Sequence, residues 1–158
     1  MTTFGDQLYQ YGGVPVLSGM LTQGKVYHVN PYMGSAGNSG LQATEALKTV
    51  QSAHDLCTNA TYNYDNDTVL LYANHTTGTY TTDYYLSTAP LVWSKSLTHL
   101  IGVGDQALFS QRARIAWSSA TSASADKVLA TFSGSSCKIA NIQFFCGMDD
   151  ANLSFNVL

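Results

Sequence analysis

His99-Leu-Ile-Gly-Val103, Ala113-Arg-Ile-Ala-Trp117, Val128-Leu-Ala-Thr-Phe132 and Cys137-Lys-Ile-Ala-Asn-Ile-Gln-Phe-Phe145 follow one another, separated by mostly polar chain. Each run is short, and Val, Ile and aromatic residues recur in them, as on a pleated, half-buried surface. Working outward, Tyr84-Tyr-Leu86 and Leu91-Val-Trp93 come before them and Leu153-Ser-Phe-Asn-Val-Leu158 comes after. Antiparallel hairpins would give a similar list, but the Asn-Gly and Asp-Gly turns that close tight hairpins are missing. Seven short strands over about seventy-five residues fit a coil instead. In such a coil each turn contributes a few strands and successive turns bury one continuous column.

Composition agrees with a β-rich wall. Of 158 residues, 45% are hydrophobic, but only 11% are charged, less than half the usual share. Glu45 is the single glutamate. Thr and Tyr, which favour strands, and Asn, Asp and Gly, which make turns, supply the polar surface. A helical bundle would need Glu, Lys and Ala on its exposed faces. The net charge of −3 gives no electrostatic reason to bind nucleic acid, and Arg112 and Arg114 alternate along one strand rather than forming a patch. No apolar stretch approaches the ~20 residues of a membrane helix. Met1–Gln10 lacks the basic start and apolar run of a secretory leader, so synthesis in a cytoplasm is expected. Cys57, Cys137 and Cys146 show no C-x-x-C spacing and read as small buried residues.

The first half of the chain divides in two. Residues 1–24 read as an extended arm: Gly12, Gly13, Pro15, Gly19 and Gly24 break any period. Phe4, Leu8, Tyr9, Tyr11, Val14, Val16, Leu17 and Met20 make it sticky and are the candidate partner-binding residues. Residues 25–158 form the second unit. It begins with the strand Lys25-Val-Tyr-His-Val-Asn30, ended by Pro31 and the run Gly34–Gly40. Ser39-x-x-Gln42 reads as a capping box. Ala43, Ala46, Leu47, Val50, Ala53, His54 and Cys57 then recur at three-and-four spacing, which predicts one helix from about Leu41 to Cys57. His54 falls on its apolar stripe and reads as a packed histidine.

The order Val26-to-Asn30, Gly34-Ser-Ala-Gly-Asn-Ser-Gly-Leu41, a helix with Ala46 and Ala53, then Asp67-Thr-Val-Leu-Leu71 resembles the entry of right-handed parallel β-helix proteins of the pectin-lyase-like superfold. Phe132-Ser-Gly-Ser-Ser-Cys-Lys-Ile-Ala-Asn-Ile-Gln-Phe144 looks like one of their rungs, with Asn141 where asparagines often stack in a ladder. The resemblance covers about residues 25–158. It implies a mainly β fold: a short right-handed parallel β-helix, capped by one N-terminal helix and preceded by the extended arm. Met1-Thr-Thr-Phe-Gly-Asp-Gln-Leu-Tyr9 with Gly12-Gly-Val-Pro-Val16, and Trp93-Ser-Lys-Ser-Leu-Thr-His-Leu-Ile-Gly-Val103 with Gln111-Arg-Ala-Arg-Ile115, look like tailed-phage virion proteins. That likeness implies a structural virion component on the capsid exterior, with the arm as its attachment device.

Catalytic readings find thin support. Asp149 and Asp150 are adjacent, so in a strand their carboxylates diverge to opposite faces; Asp105 near Arg112 and Arg114 reads as an ion-pair set. His28, His54, His75 and His99 are scattered, and no Gly-x-Ser-x-Gly elbow is present. Gly34, Gly37 and Gly40 lack the lysine of a phosphate loop, and Asp65-Asn66-Asp67 reads as a solvated turn rather than a calcium loop. Tyr80, Tyr84, Tyr85, Trp93 and Trp117 offer a weak carbohydrate platform. The expectation is therefore a non-enzymatic chain with no metal, no cofactor and no membrane partner. What the virion likeness implies is a capsid decoration or cement subunit expected to bind the major capsid protein and to self-associate as a trimer. The alternatives are the base module of a tail fibre or tailspike and, third, a polysaccharide-degrading enzyme.

Overall fold

The computed structural model describes residues 10–11, 14–15, 24–59, 66–73, 84–86, 90–104, 113–117 and 128–145. Inside the segment expected as an arm, β1 (Gln10–Tyr11) pairs antiparallel with β2 (Val14–Pro15), Tyr11 opposite Val14. Phe4, Leu8, Tyr9, Val16, Leu17 and Met20 lie outside the described residues, as do the side chains of Tyr11 and Val14.

Every other described strand pair is parallel. In chain order come β3 (Val26–Val29), a 3-10 turn (Ala43–Glu45), α1 (Val50–Leu56), β4 (Thr68–Tyr72), β5 (Tyr84–Leu86) and β6 (Leu91–Trp93). They are followed by β7 (His99–Val103), β8 (Ala113–Trp117), β9 (Ala130–Phe132), β10 (Lys138–Ala140) and β11 (Ile142–Phe145). One sheet has the order β10-β7-β4-β3, a second β11-β8-β5, and the third is β6-β9. The succession is cyclic: β4, β5 and β6 pair with β7, β8 and β9 respectively, and β10 and β11 go on to pair with β7 and β8. The protein is mainly β, with parallel strands and one α-helix among the described residues.

Side-chain alternation explains why these runs become strands. Tyr27 and Val29 of β3, Val69 and Leu71 of β4, Leu100 of β7, Ala113 and Ile115 of β8, and Leu91 and Trp93 of β6 all join one core. The intervening Leu70, Ile101 and Val103 form a second cluster with Val26 and Tyr72 on the other face of the first sheet. There His28 Nδ1 meets the Tyr72 hydroxyl at 2.8 Å.

The helix is shorter than its spacing predicts. The stripe from Ala43 to Cys57 is two segments, of which only Val50–Leu56 is α-helical. Leu47 is extended and bridges to Val29: its N–H donates to His28 O at 2.8 Å, and its carbonyl accepts from Asn30 N at 2.9 Å. Pairing with the edge of β3 gives Leu47 backbone partners while its side chain enters the core, so it has no need of helix. The capping box moves as well. Thr49 caps α1 by accepting from Ser52 N at 3.1 Å, whereas Ser39 Oγ binds Glu45 Oε2 at 2.6 Å. Gly40 is required where the loop crosses over this segment: its φ is +74, and a Cβ there would stand 2.7 Å from Leu47 Cδ1.

Two connections lock one layer onto the next. Between β6 and β7, and again between β9 and β10, the chain turns with a residue at positive φ, Leu97 (56°) and Ser136 (57°). These turns stack through the Ser96 and Ser135 hydroxyls at 2.9 Å and through Leu97 N donating to Ser135 O. The run Cys137–Phe145 is not one strand, because Asn141 (φ 55°) breaks it into β10 and β11. Asn141 Nδ2 donates to Gly102 O at 2.8 Å. The position beneath it is therefore a glycine, not another asparagine as a ladder would require.

Candidate interaction site

The core changes character at the strands furthest along the described chain. Register places Trp93 beneath Phe132, Leu100 beneath Ile139 and Ile115 beneath Phe144. The lower member of each pair is fully buried. The upper members are 42%, 37% and 39% exposed, although all three sit at inward positions. Phe132 and Phe144 meet edge-to-face across this end with ring centroids 5.8 Å apart. The strands that carry them, β9, β10 and β11, each lie at the edge of their sheet. Three strand edges and an apolar floor thus coincide at one end of the described structure. Sheet edges and exposed apolar surface are the two features that recruit further chain.

Away from these edges, α1 packs on β3, β4 and β6. Val50, Ala53 and His54 are its buried residues. His54 is the packed histidine expected from the sequence, 2% exposed, with its ring 4.5 Å from that of Trp93. Its Nε2 accepts from the backbone N–H of Ser94 and of Lys95, both at 3.2 Å, so the ring is neutral with its proton on Nδ1. Burial, then the nearby Lys95 charge, holds its pKa below the ordinary value. Nδ1 makes no hydrogen bond and stands 3.7 Å from the exposed Asp55 carboxylate; Trp93 Nε1 is likewise buried without a partner. Lys95 Nζ donates to the carbonyls of His54, Asp55 and Cys57 at 2.9, 2.6 and 2.6 Å, satisfying the last turn of α1 with a cation. All the polar capacity of this cluster except the two ring N–H groups goes into tying α1 to the turn after β6.

Asp67 overturns the solvated-turn reading at its position. It is 2% exposed, and its carboxylate accepts from Lys25 N and Thr58 N, both at 2.7 Å. Its carbonyl accepts from His99 N at 2.9 Å. One residue thus joins the start of β3, the exit of α1 and the next layer. Sequence reasoning missed it because Asp65 and Asn66 beside it disguise a buried carboxylate as part of a turn.

Of the other sequence candidates, His28 and His99 are buried in the wall, and His99 Nδ1 accepts from Lys138 N at 3.1 Å. Arg114 Nε donates to Gln143 Oε1 at 2.8 Å. Trp93 is 0% exposed and so cannot serve as a sugar platform. The glycine run is a turn, with Gly34 N donating to Asn30 O. Asp105, Arg112, His75, Tyr80, Asp149 and Asp150 lie outside the described residues, and Tyr84, Tyr85 and Trp117 are described only in backbone. Among the described residues no three His, Cys, Asp or Glu side chains group as metal ligands, and no helix is long and apolar enough to cross a membrane. Comparison with protein-family models, curated proteins and solved structures returns no match.

Proposed function

We propose that this chain is a structural, non-catalytic component of a tailed-phage virion, built as a short right-handed parallel β-helix. In this reading it decorates or cements the capsid exterior, binding the major capsid protein through residues 1–24 and associating with its own copies. The supporting observation is the end formed by β9, β10 and β11, where Phe132, Ile139 and Phe144 stand exposed at inward positions. Such a surface is suited to assembly, since its binding energy comes from burying apolar area and pairing strand edges. The cyclic order of parallel strands supports the β-helix, and the packing of α1 on β3, β4 and β6 supports a cap. The phage context rests on the sequence resemblance alone.

The same open end favours a second reading, the base module of a tail fibre or tailspike, because further turns of coil would cover it. Copy number separates the two. Quantitative mass spectrometry of purified particles against the major capsid protein is expected to give hundreds of copies for a decoration subunit. A few to a few tens would move the chain to the tail, and absence from particles would overturn the virion reading. Deleting residues 1–24 is expected to abolish shell binding while the remaining chain stays folded. Full occupancy by the truncated protein would refute the attachment role.

A further inference from the structure

We propose that His54 is an acid-released latch between α1 and the turn that follows β6. When the ring takes up a proton, Ser94 and Lys95 lose their acceptor, and the turn parts from the helix while the strands stay paired. The inference stands apart from the virion reading and rests on the geometry around the ring. Two consecutive backbone N–H groups, those of Ser94 and Lys95, converge on Nε2 at 3.2 Å. Nδ1 already carries the proton of the neutral ring, so a second proton can go only to Nε2. There it would turn an acceptor into a donor facing two donors, on a residue that is 2% exposed. Both amides would then be left without their partner.

The surrounding groups favour release over protonation in place. Lys95 faces His54 from the turn, with its ammonium on the carbonyls of His54, Asp55 and Cys57. Burial, and then this cation, already disfavour the charged ring. Asp55 on the same helix opposes them, but its carboxylate is exposed and stands 3.7 Å from Nδ1, not at Nε2. From β3 come Tyr27, whose hydroxyl donates to Leu56 O, and His28, which lies with Tyr72 of β4 on the other face of that sheet. Asp67, next to β4, is held by Lys25 N and Thr58 N, and the Cys57 thiol, pushed up to about 12, is neutral. Lys25 and Lys48 are exposed. Among the described residues, none of these brings an acceptor to a protonated Nε2. The same turn is bonded through Ser96 N to Asn59 Oδ1 and through Ser96 Oγ to Ser135 Oγ, so the latch couples pH to the joint between layers.

The test is residue-resolved amide hydrogen exchange on the full chain from about pH 7.5 to about pH 5, each rate taken relative to an unstructured chain at the same pH. One proton taken up per opening means that protection of the Ser94 and Lys95 amides should fall about tenfold for each pH unit below the ordinary value of 6.5. The Asn30 and Leu47 amides, which bond β3 to the segment beside it, should stay better protected than both throughout. His54→Gln offers an oxygen that accepts at every pH, so protection of Ser94 and Lys95 in that variant should lose its slope. Flat protection in the parent chain overturns the latch. So does a slope that survives in His54→Gln, or loss of all four amides together, which would mark global unfolding. If His54→Gln does not fold, the ring nitrogen shifts of the parent chain replace it. Ring protonation and loss of both amides should then share one midpoint, and a ring that takes its proton with both amides still protected overturns the proposal.

Discussion

Replacing Asp67 by alanine removes both acceptors for the N–H groups of Lys25 and Thr58, each now held at 2.7 Å. A hydrogen bond to a charged group contributes about 1.5–3 kcal/mol, and a buried donor left without a partner costs about 1–3 kcal/mol. The side chain is 2% exposed, but the space it vacates admits a water that can serve one of the two donors. The expected loss is therefore about 3 kcal/mol. Asp67→Asn keeps one carbonyl oxygen and turns its amide N–H toward the other donor, for an expected loss of about 2 kcal/mol. Urea unfolding followed by tryptophan fluorescence suits the measurement, since Trp93 lies fully buried in the same core. With a slope of about 2 kcal/mol per molar urea, the alanine midpoint should drop by about 1.5 M. An alanine variant within about 0.5 kcal/mol of the parent, or an asparagine variant worse than alanine, would refute Asp67 as the bracket between β3, α1 and β7.

Gly102→Ala should cost about 3 kcal/mol or more in thermal unfolding, because its Cβ would stand 2.0 Å from Asn141 O and 2.9 Å from Ala113 Cβ; an unchanged melting temperature would remove the close stacking of β7 under Asn141. Burial lowers the pKa of His28, His54 and His99, aided by Lys95 for His54 and Lys138 for His99, so the unfolded chain takes up these protons at higher pH than the folded one. Their stability contribution is full above the ordinary value of 6.5 and is lost as pH falls below it; a urea midpoint that stays flat between about pH 7 and pH 5 would contradict this. Cys57 is pushed up to about 12 by burial and then by Asp67, and its Sγ donates to Ala53 O at 3.3 Å. Maleimide labelling read by mass spectrometry should reach Cys57 only through unfolding, and a native-state rate matching that of the denatured chain would sink the assignment.

Several strands were legible because they are period-two runs whose inward residues are apolar: Leu91 and Trp93, Ala113 and Ile115, Ile142 and Phe144. His54 was legible for a similar reason, since it falls on a stripe with Val50 and Ala53. The true start of α1 was hidden. Ala43, Ala46 and Leu47 continue its spacing, yet Leu47 is committed to β3 by hydrogen bonds that no local pattern encodes. Asn141 was hidden too, because a break of one residue leaves Ile139, Ile142 and Phe144 looking like one apolar run. The exposed end could not be read at all. Phe132, Ile139 and Phe144 are typical core residues, and only the stacking of layers reveals that nothing described lies above them.

The two stacked turns, residues 94–98 and 133–137, have equal length, whereas the chain between β7 and β8 and between β8 and β9 runs longer and differs from layer to layer. The molecule thus separates a part that measures from a part that varies. An extra residue in either stacked turn would pull Ser96 off Ser135 and shift Lys95 away from the helix end it holds. β7, β8 and β9 are pinned by their parallel neighbours β4, β5 and β6 rather than by the length of chain between them. For display or labelling of this protein, new sequence placed in either stacked turn would reset the stack.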